Sequence, residues 1–507
     1  MMEGISRKEY IELSAPTEAD SRSLEERILT ALREKGYSAG MSLKVMRKLY
    51  PLCENAVYKL TASLAWDGRQ WILVDLEAGD TTEIHYGLAV DLGSTTVVAR
   101  LFDCNTGNCL AEDSAYNRQI AFGTDILTRI FYCKDQPEKL EEMRGAALES
   151  ILEVLKKLEK KTGIQAEQCI QMVVAGNTTM IHFFLGLDAF CVFQTPYAVQ
   201  VDRPGFLLAA ELGIPVKGYV YCYPGKSNYL GGDIISGMVA TELYKKDGIS
   251  VFFDIGTNGE LVVGNREFLL CGAGAAGPAL EGGVVRTGMR AAEGAVESVR
   301  LTEKGFELGV IGGGEARGIC GSGIIELLAE LFLTGWIDLR GKFVPEKNKA
   351  IRKVDGMYAV EYAPGLFFFQ SDVDEFLRTK AAAATMVEYM LREAGIGMDE
   401  ISEFYVAGAF GKHVSKEAAV TIGMYPDIDR RKLINAGNSS LEGAGKLLLC
   451  KKILDELDDI LEKMVYIQFG AVEDFLELMV AAQAIPHTDL ERYPSVRKKL
   501  KERAEKG

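Results

Sequence analysis

Two stretches of this chain share one plan, and that repetition limits the folds open to it. Tyr86-Gly-Leu-Ala-Val-Asp-Leu-Gly-Ser-Thr-Thr-Val-Val-Ala-Arg100 runs from an apolar β-type segment through a sharp turn into a second β-type segment. Val251-Phe-Phe-Asp-Ile-Gly-Thr-Asn-Gly-Glu-Leu-Val-Val263 repeats the plan. Each turn carries one aspartate at the end of its first strand, followed by glycine and small polar residues. Gly93 and Gly256 let the backbone approach a ligand closely. Ser94, Thr95, Thr96, Thr257 and Asn258, with the backbone N–H groups, suit phosphate oxygens. Asp91 and Asp254 suit Mg²⁺, which binds few protein carboxylates and keeps its waters. Either hairpin alone reads as an ordinary polar turn. A third glycine turn, Val406-Ala-Gly-Ala-Phe-Gly411, follows another apolar run and adds Gly408, Ala409 and Gly411 as candidates. The set predicts a duplicated domain whose two lobes close on ATP and Mg²⁺.

The bulk properties remove other classes. With 507 residues the chain has length for two to four domains. A net charge of −15 argues against a general binder of nucleic acid or of anionic membranes. The start, Met1-Met-Glu-Gly-Ile-Ser-Arg-Lys, is polar, so no signal peptide is expected. The longest apolar helix, near Ile324 to Trp336, is too short for a membrane span and carries Glu326 and Glu330. A cytoplasmic protein is expected. The ten cysteines are dispersed without a Cys-x-x-Cys pair. They are expected as buried, reduced thiols, with a cluster shared across a dimer interface as the alternative. The four histidines have no metal-ligand spacing.

Taken in order, residues 1–84 read as a small α+β domain. Apolar spacing predicts a helix from Glu18 to Lys35, a second from Met41 to Tyr50, then two strands joined at Asp67-Gly68. A packing or dimerisation role is expected here, and a homodimer for the chain. Residues 85–247 form the first lobe: three strands, helix, strand, helix, strand, helix. Its last helix opens at Gly231-Gly-Asp-Ile234. Asp233 there is either the residue that orients an attacking water or a helix cap. Residues 248–486 form the second lobe.

In the second lobe, Gly272-Ala-Gly-Ala-Ala-Gly277 matches a dinucleotide-binding pattern. It follows a third antiparallel-type strand and precedes Pro278, so a loop admitting the adenosine end of ATP is the better reading. Gly318-Ile-Cys-Gly-Ser-Gly323 either faces the nucleotide or allows close helix–sheet packing. Residues 487–507 read as a solvated, frayed tail.

These residues resemble those of a known family. The paired Asp-x-Gly hairpins resemble the acetate kinase, chaperone ATPase, hexokinase and actin superfamily. Within it the chain resembles the reductive activators of corrinoid proteins. The stretches that carry this are Tyr86-Gly-Leu-Ala-Val-Asp-Leu-Gly-Ser-Thr-Thr, Ala175-Gly-Asn-Thr-Thr-Met, Asp254-Ile-Gly-Thr-Asn-Gly-Glu, Ala275-Ala-Gly-Pro-Ala-Leu-Glu-Gly, Gly288-Met-Arg-Ala, Gly318-Ile-Cys-Gly-Ser-Gly and Ala407-Gly-Ala-Phe-Gly. The likeness spans roughly residues 15–485 in the same order. It implies a duplicated ribonuclease-H-like α/β ATPase, with Gly277 and Glu281 added to the nucleotide contacts. It also implies ATP-driven reduction of cob(II)alamin to cob(I)alamin on a corrinoid protein of a methyltransferase system.

The chain departs from that family in lacking an iron–sulfur domain, so an external ferredoxin-like donor is expected. Asn435-Ala-Gly-Asn-Ser-Ser440 fits the family's late glycine–asparagine segment only loosely. Two other readings stay open on the residues: a small-molecule kinase of the same fold, and a nucleotide-switched binding module.

Overall fold

The computed structural model describes residues 3–256, 258–274, 283, 285–408, 414–469 and 474–505. They divide into two compact units, residues 1–240 with 439–462, and residues 241–438 with 463–507.

The first unit opens with a small domain: β1 (Ser6–Glu12), α1 (Leu24–Glu34), β2 (Ala39–Met41), α2 (Leu43–Met46), α3 (Leu49–Asn55), β3 (Lys59–Trp66) and β4 (Trp71–Ala78). Its sheet has the order β1-β3-β4-β2. Three expectations are corrected here. Strand β1 was not foreseen; its charged residues hide an edge strand that pairs antiparallel with β3 along its own whole length. The helix expected from Glu18 starts at Leu24, because Ser23 caps it by accepting the N–H of Glu26. The helix expected over Met41–Tyr50 is broken, since Met41 extends β2 and the Ser42 side chain caps α2.

The first lobe follows with β5 (Tyr86–Leu92), β6 (Thr96–Asp103), β7 (Cys109–Tyr116), α4 (Ile126–Cys133), α5 (Pro137–Thr162), β8 (Cys169–Gly176), α6 (Thr178–Leu185), β9 (Gly205–Leu208), α7 (Ala209–Leu212), β10 (Tyr219–Cys222) and α8 (Gly232–Thr241). Its sheet has the order β7-β6-β5-β8-β10-β9. The central strand β8, Cys169-Ile-Gln-Met-Val-Val-Ala-Gly176, is buried along its whole length, as a strand covered on both faces requires.

The second unit repeats this plan. It contains β11 (Ile249–Ile255), β12 (Gly259–Gly264), β13 (Leu269–Gly274), β14 (Ala295–Thr302), β15 (Gly305–Val310), β16 (Gly318–Ile319), α9 (Gly321–Leu333), β17 (Arg352–Val354), β18 (Met357–Ala363), β19 (Leu366–Phe369), α10 (Gln370–Glu393), β20 (Ile401–Ala407), α11 (Lys416–Thr421) and β21 (Leu433–Gly437). The chain then returns to the first unit as α12 (Ser439–Leu449) and α13 (Ile453–Lys463), and re-enters the second as β22 (Met464–Ile467), α14 (Phe475–Ala482) and α15 (Pro494–Ala504).

The main sheet of the second unit has the order β21-β20-β11-β12-β13-β22. In both units an antiparallel meander (β5-β6-β7, β11-β12-β13) leads a first strand that pairs in parallel with a fourth (β8, β20), which pairs in parallel with a fifth (β10, β21). The fold is the duplicated ribonuclease-H-like α/β ATPase fold. Each sheet has its own apolar core.

Two stretches behave differently from the linear reading. Residues 439–462, inside the span taken as the second lobe, pack in the first unit. The seat of α12 is made by glycine: a Cβ on Gly443 would lie 1.9 Å from the carbonyl oxygen of Ser236, and one on Gly445 2.7 Å from the Phe102 ring. The tail expected to fray forms α15. Val496 is fully buried, and the Ser495 N–H donates to Asp427 Oδ2 at 2.7 Å.

Candidate active site

Strand register gives each of the two aspartates, one in each unit, an equivalent strand partner. Asp91 on β5 lies beside Ala175 on β8, and Asp254 on β11 lies beside Ala407 on β20. In each case the alanine is followed by a glycine, Gly176 at the end of β8 or Gly408 just after β20. A Cβ on Gly176 would lie 2.8 Å from the carbonyl oxygen of Leu92, the residue after Asp91. A Cβ on Gly408 would lie 2.8 Å from the carbonyl oxygen of Ile255, the residue after Asp254, and 2.8 Å from Asp254 Oδ1 itself. Gly408 also has φ of +85°, a conformation that glycine adopts without strain. The duplication therefore extends to the atoms that surround each carboxylate. Gly176 was not foreseen as the counterpart of Gly408, although Ala175-Gly-Asn already carried the signal.

In the first unit the loop after Asp91 is closed by the Gly93 N–H donating to the Thr96 carbonyl at 3.1 Å. A Cβ on Gly93 would meet that oxygen at 2.6 Å, so the turn requires glycine. Its carbonyls are tied inward. Asn117 Nδ2 donates to the Gly93 carbonyl at 2.9 Å, the Asn117 N–H to that of Thr95 at 2.9 Å, and Arg129 Nη1 to that of Ser94 at 2.7 Å. Ser94, Thr95 and Thr96 stand half-buried on this loop.

Asp91 has a partner that sequence reasoning missed. Ser440 Oγ, in the first turn of α12, donates to Asp91 Oδ1 at 2.8 Å. The Ser440 carbonyl in turn accepts from Ser236 Oγ on α8 at 2.6 Å. This chain of bonds links Asp91 to the helix that carries Asp233. The signal was the loosely fitting Asn435-Ala-Gly-Asn-Ser-Ser440, set aside as a departure.

Asp233 is half-buried in the first turn of α8, after Gly232, and its Oδ1 accepts the Ile234 N–H at 3.0 Å. The start of α8 is pressed against α6. A Cβ on Gly231 would lie 2.5 Å from Asn177 Cα, and one on Gly232 2.6 Å from Tyr223 Cβ.

In the second unit the Gly256 N–H donates to the Asn258 carbonyl at 2.9 Å and closes the hairpin turn. Thr257, Gly277, Glu281, Ala409 and Gly411 lie outside the described residues. Strand β13 pairs antiparallel with β12, the arrangement that argued against a dinucleotide site at Gly272–Gly277. The glycines of Gly318–Gly323 serve close packing: Cβ atoms on Gly318 and Gly323 would lie 2.5 Å and 2.3 Å from the carbonyl oxygens of Thr287 and Val296.

The ten cysteines are unbridged. Burial pushes the thiols of Cys104 and Cys222 up to about 12 and that of Cys133 to about 11, so they stay protonated at neutral pH. Cys109, in contrast to the buried thiols expected, is exposed. Among the described residues no three His, Cys, Asp or Glu side chains form a group able to hold a metal ion. Among them, too, no helix is long and apolar enough to cross a membrane.

Comparison with known proteins covers almost the whole chain. Three family models match in order: the RACo linker region at residues 2–83, the RACo middle region at 86–246, and the C-terminal domain of RACo, the ASKHA domain, at 248–497. The corrinoid activation enzyme RamQ of Eubacterium limosum is 32% identical over 410 residues, covering 77% of this chain and 69% of that protein. The [Co(II) methylated amine-specific corrinoid protein] reductase of Methanosarcina barkeri is 24% identical over 415 residues, covering 75% and 73%. Among solved structures, a reductive activator for corrinoid, iron–sulfur protein aligns with a TM-score of 0.89 and 35% identity over 98% of this chain and 81% of that one.

Proposed function

This chain belongs to the RACo family, the reductive activators of corrinoid proteins, and on that premise we propose that it uses ATP hydrolysis to drive one electron onto a corrinoid protein. The substrate is cob(II)alamin held by a corrinoid protein of a methyltransferase system, and the product is cob(I)alamin. The electron comes from a separate ferredoxin-like donor. The reading includes a cytoplasmic setting, a homodimer and the sequence limits 1–84, 85–247 and 248–486, of which residues 439–462 pack in the first unit.

The single observation that carries the nucleotide part is the repeated setting of Asp91 and Asp254, each beside an alanine–glycine strand end that leaves no room for a Cβ. A carboxylate flanked by a glycine turn and hydroxyls matches what Mg²⁺ with its water shell, and the phosphate oxygens beside it, require. In this reading Ser94, Thr95, Thr96, Gly256, Thr257 and Asn258 bind phosphate. Gly277, Glu281, Gly408, Ala409 and Gly411 contact the nucleotide. Bound ATP supplies the free energy for an electron transfer that is otherwise uphill. Ser440 holds one Asp91 oxygen in a fixed direction. Asp233 orients a water and accepts its proton. The external donor is supported by the dispersal of the ten cysteines, which form no Cys-x-x-Cys pair.

The test is ATP turnover measured alone, with a corrinoid protein, and with a panel of small hydroxylated acceptors. Stimulation by the corrinoid protein is the expected result. Phosphorylation of a small acceptor would make the chain a kinase, and tight nucleotide binding without turnover would make it a switch.

A further inference from the structure

The hairpin after Asp91 rests on a buried cation. Arg129, on α4, is fully buried and reaches the loop from below. Its Nη1 donates to the Ser94 carbonyl at 2.7 Å, and its Nε donates to the Gly123 carbonyl at 2.9 Å. Nη2 is buried and makes no hydrogen bond to a described residue. Asp125, which caps α4, is the carboxylate near enough to favour its charge.

This is an expensive way to tie down a loop. Burying a charge is costly unless it is paired, and an unmade donor adds to the cost. A neutral side chain could serve one carbonyl, and Asn117 does so for Gly93 a residue away. What a neutral group cannot supply is positive potential under the turn. Burial lowers the guanidinium to about 10, which leaves it charged at neutral pH. The direction of the bonds matters as well. With the carbonyls of Gly93, Ser94 and Thr95 held inward by Asn117 and Arg129, the negative ends of these peptide dipoles face away from the surface where the hydroxyls stand. An anion at that surface then meets the positive ends, with a cation behind them.

We propose that Arg129 is a positioning residue for the nucleotide phosphates, acting through the Ser94 carbonyl and through its buried charge without touching the ligand. The inference rests on the ATP-binding reading of the hairpin. Because the loop holds phosphate before and during the reaction, the loss should fall on KM more than on kcat.

The experiment compares Arg129→Met, Arg129→Lys and Ile151→Ala in the full chain. Ile151 is a fully buried residue of α5 in the same core and is not among the residues that hydrogen-bond the hairpin carbonyls. The readouts are KM for ATP, kcat and melting temperature. Arg129→Met is expected to raise the ATP KM by about tenfold or more with a smaller change in kcat, the scale of a lost charge-assisted bond. Arg129→Lys keeps the charge and should recover part of the loss. Ile151→Ala should lower the melting temperature and leave KM unchanged.

An unchanged KM in Arg129→Met, or an equal rise in Ile151→Ala, would overturn the inference. Should Arg129→Met not fold, Arg129→Lys carries the test: a raised KM supports the inference and a parental KM overturns it. A parent protein that binds no ATP overturns this inference together with the ATPase reading. A parent that binds ATP beside variants with parental KM overturns this inference alone.

Discussion

At the scale of single residues, Asp233 and Ser440 make the most instructive pair. Asp233 stands inside the first turn of α8, two residues beyond the position from which a side chain caps a helix, and its Oδ1 meets the N–H of the next residue. Asparagine would keep that acceptor and lose the basicity. Asp233→Asn is therefore expected to bind ATP with parental affinity and to hydrolyse it slower by on the order of 10². Single-turnover hydrolysis with a parallel binding titration checks it, and parental turnover would reduce Asp233 to a structural role. The hairpin aspartates and glycines could be read in advance because their chemistry is local: a turn that needs glycine names itself. Ser440 could not. It reaches Asp91 across 349 residues of sequence, and the loose fit of Asn435–Ser440, its one local trace, does not name the carboxylate it meets.

At the scale of elements, the same contrast separates what periodicity discloses from what packing decides. The meanders β5-β6-β7 and β11-β12-β13 were legible from alternating apolar runs around their turns. Strand β1 was not, because an edge strand carries charges and is recognised by its partner β3. Helix α15 was hidden for a related reason: its Lys-rich sequence masks the few apolar residues, such as Val496, that bury. The junction of β1 with the segment before β5 makes its own prediction. His85 is buried, with Nε2 at 2.8 Å from Ser6 Oγ and Nδ1 at 3.2 Å from Asn105 Oδ1.

Burial, aided by the charges of Arg7 and Lys8 and opposed by Asn105 and Asp103, lowers the His85 pKa from the ordinary 6.5 to about 4. The folded protein then binds fewer protons than the unfolded chain between these values. The associated stability is complete above about pH 6.5 and is lost as pH falls toward 4, a total of about 3 kcal/mol. His85→Gln should flatten this dependence. Melting temperatures of parent and variant from pH 7 to pH 4 test it, and identical pH profiles would refute the assignment.

At the scale of the molecule, the small N-terminal domain is fastened within the first unit by an ion network. Lys217, just before β10, donates to Asp75 at 2.7 Å and to Glu77 at 2.8 Å, and these carboxylates also pair with Lys48 and Lys8. Beside it the Gln171 side chain donates to the Trp66 carbonyl at 2.6 Å. The domain thus shares a framework with the sheet that presents Asp91, while a second copy of that sheet presents Asp254. The proposal gives the two copies one task, coupling ATP to an uphill electron. The most direct measurement of that claim is anaerobic visible absorbance of a corrinoid protein mixed with this chain, a reduced ferredoxin-like donor and Mg²⁺, before and after ATP is added. The account predicts that cob(I)alamin accumulates only after ATP is added, and that folded Asp254→Ala leaves the corrinoid as cob(II)alamin. Reduction at the same rate without ATP, or in Asp254→Ala, would contradict it.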